Sequence, residues 1–177
     1  MKPNPTPAYM AYLKIRLEKP RKLCGGFLIQ EDFVLTAVHG LQSSPSNNPL
    51  ASVYNQLEVT LGAHNIKKQE DTQQVICVQK AFPRQDYNPK IHINDIMLLK
   101  LEKKAKLTKA VQLLILPKGR TQVNPGTGCQ GDSGGPLVCN NVAQAFVSYA
   151  PKNGTTPCIF TKVSWFLPWI KKTMKQS

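Results

Sequence analysis

The chain has 177 residues, 41% hydrophobic and 19% charged. At ~150 residues per domain this is about one domain or two small ones, with enough apolar content to exclude disorder of the whole chain. No apolar run approaches the ~18 residues of a membrane-spanning helix, and no internal repeat or sustained heptad supports a solenoid or coiled coil. Lys plus Arg number 23 against 10 Asp plus Glu, a net charge of +13. That balance favours polyanionic partners, whether nucleic acid, sulfated polysaccharide or an anionic membrane surface, without choosing among them.

Met1 to Pro7 is proline-rich and reads as extended. It has no apolar core of the kind that marks a secretory signal. Ala8–Leu17 alternates and predicts a strand, followed by a basic turn at Lys19-Pro20-Arg21-Lys22. Gly26–Ile29 and Phe33–Thr36 are β-rich runs on either side of Gln30-Glu31-Asp32, a hairpin signal. Ser43–Asn55 is polar and carries two prolines, the composition of a long surface loop. Strands are predicted at Leu57–Leu61, Gln73–Ala81 and Ile96–Leu101; Val111–Leu116 is another apolar stretch, which Pro117 ends. Pro136–Cys139 and Val142–Tyr149 flank Asn140-Asn141, a favourable two-residue turn. Cys158–Val163 reads as the last strand. Trp165, Trp169, Ile170, Thr173 and Met174 then fall near helical spacing, with Lys171, Lys172 and Lys175 toward the negative end of the dipole. Many short strands and one terminal helix predict an all-β barrel or sandwich.

There are five cysteines, Cys24, Cys77, Cys129, Cys139 and Cys158. One must lack a partner if the rest pair within the chain. None is spaced as C-x₂-C, so no zinc site and no metal or other cofactor is expected.

Three segments carry chemistry. Leu35-Thr36-Ala37-Val38-His39 ends a β run with a histidine. Asn94-Asp95-Ile96-Met97-Leu98-Leu99 places an acid before an apolar strand. Gly131-Asp132-Ser133-Gly134-Gly135-Pro136 surrounds a serine with glycines, which permit a tight backbone path and close approach of a substrate. A serine becomes a nucleophile only with a base, which His39 can supply. The imidazole needs a buried acid to fix its tautomer, which Asp95 can supply. The N–H groups of Gly131 and Ser133 can face a developing oxyanion. Taken singly, each has an ordinary alternative: a structural histidine, a turn aspartate, a glycine-rich loop. Taken jointly, in these local contexts and in the order His, Asp, Ser, chance is a poor explanation.

These motifs resemble the chymotrypsin-like serine proteases, and more closely granzymes of the B and H type. The likeness extends through Thr60-Leu61-Gly62-Ala63-His64-Asn65-Ile66-Lys67, Tyr87-Asn88-Pro89-Lys90, Gly131–Cys139 and Pro168-Trp169-Ile170-Lys171-Lys172-Thr173-Met174-Lys175. The resemblance implies an all-β double antiparallel barrel of the chymotrypsin type with a C-terminal α-helix. Residues 1–118 would form the first barrel, with His39 and Asp95. Residues 119–177 would form an incomplete second barrel with Ser133 and the helix. It implies a serine-type endopeptidase acting on peptide or protein substrates, without a cofactor. His39 would be the general base, Asp95 its orienting acid, Ser133 the nucleophile, and Gly131 and Ser133 the oxyanion donors. Ser148, Tyr149 and Ala150 would bind substrate backbone, and Thr127, Gly128 and Cys158 would border the specificity pocket. Because Cys158 stands where granzymes of the B type carry an arginine, a preference for acidic residues is not implied. The family implies secretion or storage in a cytolytic granule on sulfated proteoglycan, as a monomer. Nucleic acid ranks last among partners, for no recognition motif accompanies the charge.

The departures are specific. In the chymotrypsin arrangement, histidine and aspartate are ~45 residues apart and aspartate and serine ~93. Here the gaps are 56 and 38. The added length falls in Leu41–Gln56. The shortfall falls between Asn124-Pro125-Gly126 and Thr127-Gly128-Cys129, where relatives carry strands of the second barrel. The family's partners for Cys24 and Cys139 are also missing; Cys129 and Cys158 are a candidate pair, and Cys77 has no family partner. Active relatives begin Ile-Ile-Gly-Gly, and that α-amine pairs with the acid corresponding to Asp132. This chain has no such start. The second reading is therefore an inactive protease homologue that binds sulfated glycans through its basic surface, with Lys100, Lys103, Lys104, Lys106 and Lys109 as one candidate cluster. Asn153-Gly154-Thr155 is a glycosylation sequon if the chain is secreted.

Overall fold

The computed structural model describes residues 6–16, 21–39, 56–65, 68–118, 129–131, 136–149 and 159–177, without side chains at 21–24, 129–131, 147–149 and 159. Six antiparallel strands close a barrel: β1 (Met10–Ile15), β2 (Arg21–Gln30), β3 (Phe33–Thr36), β4 (Leu57–Leu61), β5 (Gln74–Pro83) and β6 (Met97–Leu101), in the order β1-β2-β3-β6-β5-β4. Closure pairs β1 with β4, Ala11 opposite Leu61 and Ile15 opposite Leu57. A second sheet has the order β10-β9-β8-β7, built from β7 (Cys129–Gly131), β8 (Pro136–Cys139), β9 (Val142–Tyr149) and β10 (Ile159–Lys162). A 3₁₀ turn at Val163–Phe166 leads into the helix α1 (Leu167–Gln176).

The sequence explains the turns. Glu31-Asp32 alone separates β2 from β3. Asn140 and Asn141 both have positive φ, 51° and 62°. That is the backbone of a type I′ hairpin turn, which asparagine tolerates better than most residues. Gly26 is required for a different reason. A Cβ there would stand 2.7 Å from the Leu35 carbonyl oxygen on the paired strand.

Strand period divides the apolar residues between two cores. Leu28, Val34, Met97, Leu99 and Leu101 fill the barrel with Leu13, Val59, Leu61 and Ile76. Phe27, Phe33, Leu35, Ile96 and Leu98 point the other way. They pack with Leu114, Val138, Ala143 and Phe146, and with Val163, Leu167 and Ile170 around α1. β3 and β6 are thus buried on both faces, which is why they read as continuous rather than alternating apolar runs.

Several boundaries differ from the sequence expectation. β1 ends at Ile15 rather than Leu17, and β2 absorbs Arg21 and Lys22. The apolar stretch Val111–Leu116 crosses the surface without forming a strand. The Gln112 N–H donates to the Ala8 carbonyl and the Leu114 N–H to the Leu28 carbonyl, so the segment runs as a connector across the barrel. Its single bridge joins Ile115 to Val142. Val163 belongs to the 3₁₀ turn and not to the last strand. The loop Leu41–Gln56 lies outside the described residues except for Gln56. Cys77 is a free thiol. Cys139 is disulfide-bonded, although the resemblance offered it no family partner.

Candidate active site

β3 passes between the two cores and delivers its last residues to their common edge. Ala37 packs in the second core and Val38 in the barrel core, so the backbone is fixed from both sides immediately before His39. Asp95 reaches the same point from the loop before β6 and is 0% exposed.

A buried carboxylate is costly unless its oxygens are hydrogen-bonded. Asp95 Oδ1 accepts the N–H of Val38 at 2.7 Å and of His39 at 2.9 Å. Oδ2 lies 2.6 Å from His39 Nδ1. An ionised carboxylate only accepts, so Nδ1 carries the proton and Nε2 keeps its lone pair. The imidazole side chain is 39% exposed, against 0% for the aspartate behind it. The result is an imidazole whose orientation is fixed by a buried carboxylate.

The Arg84–Asn94 loop sets the position of Asp95. Asn94 has a left-handed φ of 59°, and its carbonyl accepts the Ile96 N–H at 2.9 Å, folding the chain tightly around Asp95. Asn94 Nδ2 donates to the Asp86 carbonyl at 3.2 Å. Arg84 bonds Asp86 through Nε and Nη2, and its guanidinium carbon lies 5.6 Å from the ring centres of both Phe166 and Trp169. The C-terminal helix is thereby linked to the loop that holds the acid. The Arg84 guanidinium, bonded to Asp86, holds that carboxyl below its ordinary range. Burial, reinforced by the negative charge of Asp95, pushes the Tyr87 phenol above its ordinary value.

His39 and Asp95 are therefore brought together across 56 positions of sequence. Ser133, Thr127, Gly128, Ala150 and Cys158 lie outside the described residues. Gly131 ends β7 with its backbone opposite Leu137. Ser148 and Tyr149 end β9, where Tyr149 pairs with Ile159; their side chains are not described. Arg84 and the roles of Tyr87 and Asn94 escaped the sequence reading. The quoted run Tyr87–Lys90 and the Asn94-Asp95 pair were the available signals, but an arginine between two aromatic rings has none in local sequence. Among the described residues, no group of three or more His, Cys, Asp or Glu is arranged to hold a metal ion.

The Trypsin family model matches residues 2–130 and 125–170. The chain is 42% identical to granzyme H of Homo sapiens over 231 aligned positions, covering 99% of this chain and 89% of the relative. It is 44% identical to granzyme B of Homo sapiens, with 99% and 89% covered. A solved structure described as "Structure of GrC" superposes with a TM-score of 0.78 at 36% identity, covering 97% of this chain and 98% of that one. An alignment of 231 positions exceeds the 177 residues of the chain, so granzyme H contains residues that this chain lacks. The family match divides at 125–130, where the triad spacing puts the shortfall. With the family model matching across both sheets and granzymes matching nearly end to end, the chain belongs to the trypsin family of serine proteases.

Proposed function

We propose that the chain is a granzyme-like serine endopeptidase with His39, Asp95 and Ser133 as its triad. The observation that carries the reading is the His39–Asp95 pair. Its buried carboxylate is satisfied by two backbone N–H groups and the imidazole Nδ1, and among the described residues no hydrogen bond engages Nε2. In the proposed reaction Ser133 Oγ attacks the scissile carbonyl while Nε2 takes its proton. Asp95 stabilises the resulting imidazolium without becoming protonated. The N–H groups of Gly131 and Ser133 receive the oxyanion, and His39 then gives its proton to the leaving amine. Water resolves the acyl-enzyme by the same route. Ser148, Tyr149 and Ala150 would hold substrate backbone, and Thr127, Gly128 and Cys158 would border the pocket for the residue before the cut. By likeness to the granzymes, the chain is assigned to secretion or granule storage.

A fluorophosphonate probe tests this directly. The folded chain is expected to be labelled, and Ser133→Ala to abolish labelling. Folded, correctly processed protein that takes up no label would overturn the assignment of activity.

A further inference from the structure

After Asp132 the sequence has no acidic residue, while Lys152, Lys162, Lys171, Lys172 and Lys175 follow. The last acid therefore precedes β8, and everything after it carries positive charge alone. α1 buries Leu167, Ile170 and Thr173 against the protein. Lys171, Lys172 and Lys175 are left on its exposed side.

Trp165, in the 3₁₀ turn that leads into α1, is 73% exposed, and Phe160 on β10 is 50% exposed. Trp165 is one turn before the exposed Pro168 and seven residues before Lys172, spacings that stay on one side of a helical path. The other tryptophan, Trp169, is occupied by the Arg84 guanidinium. Among the described residues, no cation stacks on Trp165 in this way. A large exposed indole on the same helical path as Lys172 suits a partner that is both negative and partly apolar.

We propose that the Trp165–Lys175 surface docks on an anionic lipid bilayer, with the indole seated at the headgroup level and the α1 lysines facing the lipid phosphates and carboxylates. The charge complementarity is direct, since juxtamembrane lysines are drawn to anionic leaflets while tryptophan favours the membrane–water boundary. A sulfated glycan would engage the lysines equally well, but it offers the indole no apolar layer. Trp165 therefore favours lipid. The helix does not insert, because its apolar face is already packed.

The test uses the whole chain and sedimented vesicles at low salt. Vesicles containing phosphatidylserine are expected to bind it, and pure phosphatidylcholine vesicles are not. Binding should blue-shift the tryptophan emission in the parent chain but not in Trp165→Ser. Trp165→Ser should weaken partitioning severalfold, Trp165→Phe should retain most of it, and each of Lys171→Gln, Lys172→Gln and Lys175→Gln should cost about fivefold. Equal thermal midpoints would confirm that these exposed substitutions leave the fold intact. Three outcomes would overturn the proposal: no binding to phosphatidylserine vesicles, equal partitioning of Trp165→Ser and the parent, or retention on heparin without vesicle binding.

Discussion

The two sheets differ in how they end. In the first, every strand has a hydrogen-bonded neighbour on both sides, because β1 meets β4 and the barrel closes. In the second, β7 and β10 each pair on one side only among the described residues. An edge strand presents unpaired backbone groups, and closure is the one arrangement that removes them. His39 and Asp95 are held by the closed unit, whereas Gly131 ends an edge strand of the open one. The His39–Asp95 pair is thus built on the closed scaffold, in which no strand edge is left open.

The largest expected effect is on the closed side. Asp95→Asn keeps the shape but reverses one partner, so it should favour the wrong imidazole tautomer and slow probe labelling of Ser133 by roughly 10⁴-fold. Equal labelling of variant and parent would show that the base needs no acid and that the scaffolds contribute nothing separable.

A packing pair sharpens the contrast further. Leu99 is fully buried in the barrel core, and Phe146 is buried in the second. Leu99→Ala is expected to cost ~2–5 kcal/mol and Phe146→Ala ~3–5 kcal/mol. If the open sheet is the weaker cooperative unit, Phe146→Ala should release amide protection in β8 and β9 while β4 and β5 stay protected. Leu99→Ala should loosen both. Hydrogen exchange by mass spectrometry reads this, and uniform loss in both variants would show a single cooperative unit.

The smallest effect concerns the tie between the units. Removing Arg84 loses its two ring contacts at ~0.5–1 kcal/mol each for exposed sites, and the bond to Asp86. Arg84→Ala should therefore lower stability by about 1–2 kcal/mol. The Asp86 contribution depends on pH. Its folded pKa is depressed, so the stability it adds is present above the ordinary carboxylate value of 3.8 and is lost as pH falls through the lower folded value. The carboxylate is 53% exposed, so this part should stay within the ~0–1 kcal/mol of surface pairs. Comparing acid unfolding of the parent and Asp86→Asn checks it; a difference that grows with rising salt would contradict the ion-pair origin.

Much of this architecture was legible in the residues. Strands Phe33–Thr36, Leu57–Leu61 and Pro136–Cys139 match expectation because β-branched and apolar runs there are bounded by strong turn chemistry. The pairing of His39 with Asp95 was also legible, since each sits beside a strand whose pattern was clear. The path of the apolar stretch Val111–Leu116 was not legible, because it satisfies backbone N–H groups with the carbonyls of Ala8 and of Leu28 in β2, which composition does not reveal. The start of α1 slipped for a related reason. Val163–Phe166 turns with a tighter period, and the apolar spacing of Trp165 and Trp169 suits either geometry. Arg84 was illegible because its aromatic partners lie some eighty positions away and meet it only once α1 docks.

β3 is four residues long and alternates between two cores, with Phe33 and Leu35 on one side and Val34 on the other. This makes it a ruler for the site. Inserting or deleting one residue would exchange the two sets, forcing a phenylalanine into the space of a valine and moving the backbone N–H groups of Val38 and His39 off Asp95. Length variation in this lineage is therefore admissible at the Glu31-Asp32 turn or after His39, but not between them. The extended polar loop at Leu41–Gln56 begins just past that boundary, where added residues leave the strand's register untouched.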